Sequence, residues 1–277
     1  MSYNIFVSFS FFGLFDIYVY GVIIAAAILV AFLVGVFLVK RAGIKEDIAY
    51  WILLICVPIG IAGARIYYLL FDSSVITNFG SFFDIRGGGM AIYGAVIGGA
   101  LGLLLVSRIK KQGFFRLTDI CVVVLILAQS IGRWGNFVNQ EAYGVATEIS
   151  TFPFAVWIDA ENGYHLATFF YESFFNFIGF LVLLFIYLKS TDKSQYNRRG
   201  NPRDPEGWIS RPGITTACYL IWYGIVRACI EPLRTDSLML FDTVRVSLLL
   251  SIVLVILGVV LLVICLKTKL TATKKAK

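Results

Sequence analysis

Residues 17–39 read IYVYGVIIAAAILVAFLVGVFLV, an apolar run with no charged residue, and Lys40-Arg41 follow at once. A helix that crosses a bilayer needs about 20 predominantly apolar residues, so this stretch predicts a membrane span. Working outward, runs at 48–70, 89–107, 118–134, 166–188, 214–231 and 243–266 meet the same criterion. The runs at 118–134 and 214–231 are short and end in polar residues. None shows the alternating segments of about 10 residues that mark a membrane β-barrel. With 59% hydrophobic and 15% charged residues among 277, and a mean hydropathy of +0.84, too little polar surface remains for a soluble domain. The expected fold is an all-α polytopic membrane protein. Residues 1–277 form a single seven-helix membrane domain, with 135–165 as a small external cap.

The basic residues orient it. Lys40, Arg41 and Lys45 follow the first run, and Arg108, Lys110, Lys111 and Arg116 the third. Lys189, Lys193, Arg198, Arg199, Arg203 and Arg211 follow the fifth, and Lys267, Lys269, Lys274, Lys275 and Lys277 the seventh. These four regions lie on one side of the predicted membrane, and that side is cytoplasmic by the positive-inside rule. The N-terminus is then outside and the C-terminus inside. The net charge of +7 therefore reports topology, and no nucleic-acid partner is expected. No basic residue occurs in the first sixteen positions, so the basic region of a cleavable signal is missing. The five cysteines fall inside apolar runs at no metal-ligand spacing and read as small buried hydrophobes.

Six basic residues stand apart from those clusters: Arg65, Arg86, Arg133, Arg227, Arg234 and Arg245. All are arginine. An arginine at bilayer depth costs about 2.5–3.5 kcal/mol on insertion scales, so it pairs or lines a polar cavity. Its planar fork grips phosphate or carboxylate with two parallel bonds, which lysine does not do. A phosphate-bearing ligand is one reading; structural pairing with Asp84, Asp236 or Asp242 is the other, and is preferred for Arg86 and Arg245.

The densest polar run is Gln129-Ser130-Ile131-Gly132-Arg133-Trp134-Gly135-Asn136-Phe137-Val138-Asn139-Gln140-Glu141. Gln129, Arg133 and Asn136 share one helical face if the helix continues that far, and Gly132 and Gly135 allow a ligand or another helix to approach. Tyr223, Arg227, Glu231 and Arg234 share a second face, and Pro232 should end or kink that helix. Thr168, Glu172 and Asn176 form a third polar stripe. Gly94, Gly98 and Gly102 read as a helix-packing stripe. Residues 142–165 hold no lysine or arginine and several aromatics, and read as a cap at the membrane interface. His165 is assigned no role. No metal set, Walker loop or nucleophile elbow occurs, so neither metal nor cofactor is expected.

These segments resemble the prolipoprotein diacylglyceryl transferase family. Its signature matches Gly132-Arg133-x-Gly135-Asn136-Phe137-x-Asn139-x-Glu141. Agreement extends to Tyr20-Gly21, Gly63-Ala64-Arg65, the Gly-Gly-Met segment, Tyr171-Glu172-Ser173 and Tyr223-Gly224-x-x-Arg227-x-x-x-Glu231-x-x-Arg234. Two departures matter. Tyr93-Gly94-Ala95 and Leu166-Ala167 stand where many members carry His-Gly-Gly and His-Pro, so neither imidazole is available as a base.

The resemblance implies transfer of a diacylglyceryl group from phosphatidylglycerol to the lipobox cysteine of a prolipoprotein signal peptide, in the plasma (inner) membrane of a bacterium. It implies catalytic roles for Arg133, Asn136, Glu141, Arg227, Glu231 and Tyr93. Substrate-binding roles fall to Arg133, Tyr20, Arg65, Asn139, Glu172, Tyr223 and Arg234. The competing expectation is a transporter or channel for an anionic solute. Such folds often repeat their broken helices, and Gly132-Arg133-Trp134-Gly135 has no second copy here.

Overall fold

The computed structural model describes residues 8–11, 15–71, 89–191, 211–235, 239–240 and 244–275. It is mostly helical, with seven α-helices in chain order: α1 Val19–Arg41, α2 Asp47–Phe71, α3 Ile92–Ile109, α4 Phe114–Val138, α5 Thr168–Ser190, α6 Ile214–Ile230 and α7 Val246–Lys275. Six of them (all but α6) are long and apolar enough to cross a membrane; the chain is a multi-pass membrane protein. The run expected at 214–231 is α6, whose 17 residues fall short of the others. Gly213 starts it from a left-handed conformation, and at its other end the chain tightens into a 3-10 turn, Glu231–Leu233, containing Pro232. Proline supplies no N–H for the ladder, so the expected break at Pro232 is present.

Two other helix boundaries differ from expectation. The third run does not begin at Gly89: that residue has φ +73 and Ala91 is extended, so α3 starts at Ile92. The fourth is longer than 118–134 at both ends, since α4 runs from Phe114 into the signature as far as Val138. Among the described residues three antiparallel hairpins accompany the helices: β1 Ser8–Phe11 with β2 Phe15–Tyr18 before α1, β3 Ala155–Ile158 with β4 Gly163–Leu166 between α4 and α5, and β5 Met239–Leu240 with β6 Val244–Arg245 between α6 and α7. Hairpins were not part of the all-helical expectation.

The chain divides into two compact units, one of Met1–Val34 with Asp119–Lys277 and one of Gly35–Thr118. In the second, α2 and α3 press backbone to backbone. A Cβ on Gly63 would lie 2.5 Å from the Gly94 carbonyl, and one on Gly98 would lie 2.5 Å from that of Ile59. The glycine stripe is a packing seam, as expected. At the far end of the same pair Lys110 bonds Asp47 at 2.8 Å and covers the Trp51 ring at 4.4 Å.

In the first unit α4 and α5 are laced by hydroxyls. Ser130 Oγ donates to the Ser173 carbonyl and Ser173 Oγ to that of Ser130, each at 2.8 Å, and Trp134 Nε1 donates to Ser173 Oγ at 3.1 Å. Such bonds hold helices together where apolar contact alone offers little preference over lipid. Asp119 of α4, buried, accepts from the backbone N–H of Gly213 (2.7 Å) and Thr216 (2.8 Å) and from the Thr216 hydroxyl (2.7 Å). It caps α6 from another helix, satisfying donors that a helix start leaves open.

Candidate functional site

The end of α4 is built to present Glu141. Gly135 lets Tyr20 of α1 lie against the helix, since a Cβ there would meet the tyrosine ring at 2.6 Å. Beyond Val138 the chain leaves the helix through a Schellman turn: the Glu141 N–H bonds the Asn136 carbonyl at 3.0 Å and the Gln140 N–H that of Phe137 at 3.2 Å. Such a turn needs a left-handed residue, usually glycine. Here Gln140 takes it, with φ +51. Its side chain is held in return: Nε2 donates to Asp159 Oδ2 and Oε1 accepts the Asp159 N–H, both at 2.9 Å. Asn136 Nδ2 then donates to Glu141 Oε1 at 2.8 Å, Asn139 Nδ2 approaches the same oxygen at 3.5 Å, and Arg133 Nη1 donates to Asn136 Oδ1 at 3.2 Å.

Glu172 of α5 is the centre of the arrangement. It is 2% exposed and its carboxylate meets three arginines from different parts of the chain. Oε2 pairs with Arg133 of α4; Oε1 lies 2.5 Å from Arg227 Nη1 and 3.6 Å from Arg234 Nη1. Arg227 extends the cluster, with Nη2 2.8 Å from Glu231 Oε2 and 3.5 Å from Ser247 Oγ of α7. Glu231 is fully buried, and neither of its carboxylate oxygens makes a geometrically sound hydrogen bond among the described residues; its tie to Arg227 is one of charge and proximity. Arg245 donates to the Glu231 carbonyl at 2.5 Å.

The cap fixes Arg234. Gly144 bridges to it in antiparallel fashion, and the Val145 N–H bonds the Leu233 carbonyl at 2.9 Å. On its other side Gly144 donates to the Leu166 carbonyl of β4 at 2.8 Å. The β3–β4 hairpin is seated on an apolar cluster of Val156, Ile158, Ala167 and Phe169, packed against Phe137, Tyr143 and Phe170. His165 is buried there, with Nδ1 2.8 Å from the Gly144 carbonyl and its ring edge-on to Tyr143. That is a structural position.

Of the residues singled out in the sequence, the structure brings Arg133, Asn136, Asn139, Glu141, Glu172, Arg227, Glu231 and Arg234 into one connected network. Tyr20 flanks it through Gly135. Tyr223 stacks on Tyr219 at 5.7 Å, one helical turn along from Arg227. Tyr93 and Arg65 belong to the other unit. There Tyr93 is edge-on to Tyr67 at 6.1 Å, and Arg65, 4% exposed, donates to the Gly89 carbonyl at 2.9 Å with Tyr68 beneath its guanidinium. Arg86, Asp84, Asp236 and Asp242 lie outside the described residues. Two members were not foreseen, Ser247 and Arg245. The second had been set aside as a pairing residue; it ends β6, immediately before α7. Among the described residues no group of three potential metal ligands occurs.

Comparison with known proteins gives one answer. The sequence model of the family described as prolipoprotein diacylglyceryl transferase matches residues 6–264. Curated proteins named phosphatidylglycerol–prolipoprotein diacylglyceryl transferase are similar throughout. That of Finegoldia magna is 38% identical over 92% of this chain and 93% of its own, that of Listeria innocua 40% over 88% and 84%, and that of Clostridioides difficile 37% over 92% of each.

Proposed function

The chain belongs to the prolipoprotein diacylglyceryl transferase family, and from that premise we propose that the arginine–carboxylate network is where it works. It is an enzyme that transfers the diacylglyceryl group of phosphatidylglycerol to a prolipoprotein. The acceptor is the thiol of a lipobox cysteine, and the enzyme acts in the plasma membrane of a bacterium. Its seventh crossing is α6 with the 3-10 turn that extends it, the N-terminus lies outside, and residues 135–165 form an external cap on one seven-helix domain. Labelling single cysteines placed at the two termini with a membrane-impermeant reagent tests this; reaction at the C-terminus in intact cells contradicts it.

The carrying observation is the single carboxylate of Glu172 that gathers Arg133, Arg227 and Arg234. Arg133, Arg227, Arg234 and Arg245 with Glu141, Glu172 and Glu231 leave an excess of positive charge in a largely buried place, which suits an anionic phosphate. Arg133 and Arg227 hold the lipid phosphate, and Arg234 guards passage of the headgroup, which Asn136 hydrogen-bonds. Tyr20, Asn139, Glu172 and Tyr223 shape the lipid site. The thiolate is the nucleophile, and a free thiol has a pKa of about 8.5, so its proton must be taken. Glu141 or Glu231 accepts it or orients the arginines. The sulfur bonds to the glyceryl carbon as that carbon's bond to the phosphate oxygen breaks. The electron pair leaves with glycerol phosphate, its charge offset by the arginines. The test is purified protein with phosphatidylglycerol and a lipobox peptide, read by mass. A diacylglyceryl mass gain on cysteine is expected; solute flux in liposomes without any mass gain would overturn the reading.

A further inference from the structure

One helical turn inside the charged network lies a second polar layer that carries no charge. Arg133 and Arg227 stand near the ends of α4 and α6, and Glu172 near the start of α5. Four residues toward the middle of each helix lead to Gln129, Tyr223 and Asn176. Residues four apart share a face and are separated by about 6 Å along the axis, so the inner trio lines the same interior as the outer one. Gln129 Nε2 donates to the Tyr219 hydroxyl at 3.1 Å, joining α4 to α6 at this level, and Tyr219 lies parallel to Tyr223 with 14° between the rings. Asn176 is 1% exposed, and its Oδ1 has no hydrogen-bond partner among the described residues. A buried carboxamide oxygen left unpaired is costly and uncommon.

We propose that this layer binds the ester carbonyls of the lipid whose phosphate the arginines hold, and so selects diacyl over dialkyl glycerolipids; the proposal rests on the phosphate reading above. The two layers match the two polar levels of a glycerophospholipid. Charged forks meet the phosphate, and neutral donors meet the carbonyl oxygens, which lie one glycerol unit further toward the acyl chains. The Tyr223 hydroxyl, the second Nε2 hydrogen of Gln129 and the Asn176 amide (turned to present Nδ2) supply those donors. An ether-linked lipid has no carbonyl oxygen to accept them, so the site's polar groups would stay unpaired. The ester bonds are untouched by the transfer. Their hydrogen bonds are equal in ground and transition states and act on KM rather than kcat.

The experiment compares dioleoyl phosphatidylglycerol with its di-ether analogue, using full-length protein and a lipobox peptide, with mass gain on cysteine as the readout. For the wild type, KM for the ether lipid is expected to be about tenfold higher with little change in kcat, a tenfold step being the effect of one good hydrogen bond. Asn176→Leu and Tyr223→Phe should each raise KM for the ester lipid and leave that for the ether lipid in place, narrowing the preference. Equal KM values in the wild type, or a full preference retained in both variants, would overturn the proposal and leave the phosphate reading standing. No mass gain from either lipid with wild-type protein would overturn both. Should Asn176→Leu fail to accumulate, Tyr223→Phe, which removes a single oxygen, decides the matter.

Discussion

At the scale of the residue, Glu172 carries the argument. One buried carboxylate faces Arg133, Arg227 and Arg234, and all three share it. Breaking a buried ion pair by removing one partner costs about 3–5 kcal/mol, because the charge left behind is uncompensated. Glu172→Gln keeps the shape and deletes the charge; it is expected to lower the thermal midpoint of the purified protein and to reduce transfer about 100-fold or more, and a variant with both unchanged would remove Glu172 from the centre. Arg227→Lys is expected to lose at least about tenfold in transfer rate at normal protein levels, since an ammonium cannot span Glu172 and Glu231 in the fork's geometry. The membership of this network was legible from polar residues at helical spacing inside apolar runs. Its connectivity was not, because 172 meets 133, 227 and 234 across helices, and spacing along one helix carries no information on its neighbours. Arg245 shows the same limit: its guanidinium bonds the backbone carbonyl of Glu231, a partner that no spacing announces, and the aspartates offered for it lie outside the described residues.

At the scale of the element, what aims the side chains is helix ends and helix seams. The glycine stripe of α3 was readable, since small residues four apart in an apolar run have few other uses. In Gly94→Ala the added methyl would collide with the Gly63 backbone and the Tyr67 side chain. Overpacking of this kind costs about 1–3 kcal/mol, measurable as a lower midpoint in detergent. Asp119 was not readable as the cap of α6, because its partners Gly213 and Thr216 are far along the chain. Removing a helix cap costs about 0.5–2 kcal/mol. Asp119→Ala should therefore lower stability by about that much, with Asp119→Asn recovering part of it; an unchanged midpoint in Asp119→Ala would show that α6 does not depend on the contact. The Schellman turn after α4 was likewise hidden, since glutamine holds the position where glycine would have announced it.

At the scale of the whole molecule, hydropathy and the lysine clusters gave the number and approximate limits of the helices, because a bilayer's thickness is written directly into the length of an apolar run. They did not reveal the hairpins, whose strands are too short to leave a periodic trace, nor the true length of α4, whose last two turns look polar because they carry the site. The site was legible for a related reason: polar and ionisable residues are expensive in such a helix, so their positions pointed to an anionic ligand, while the reaction itself came from the resemblance of the signature to a known family. The central claim is that the gathered arginines hold the lipid phosphate. It is tested most directly by the initial rate of diacylglyceryl transfer in Arg133→Ala, measured beside wild type at equal amounts of folded protein. Loss of a charge-stabilising donor typically costs about 100- to 1,000-fold, and a fall of that order is predicted; a rate within about twofold of wild type would contradict the account.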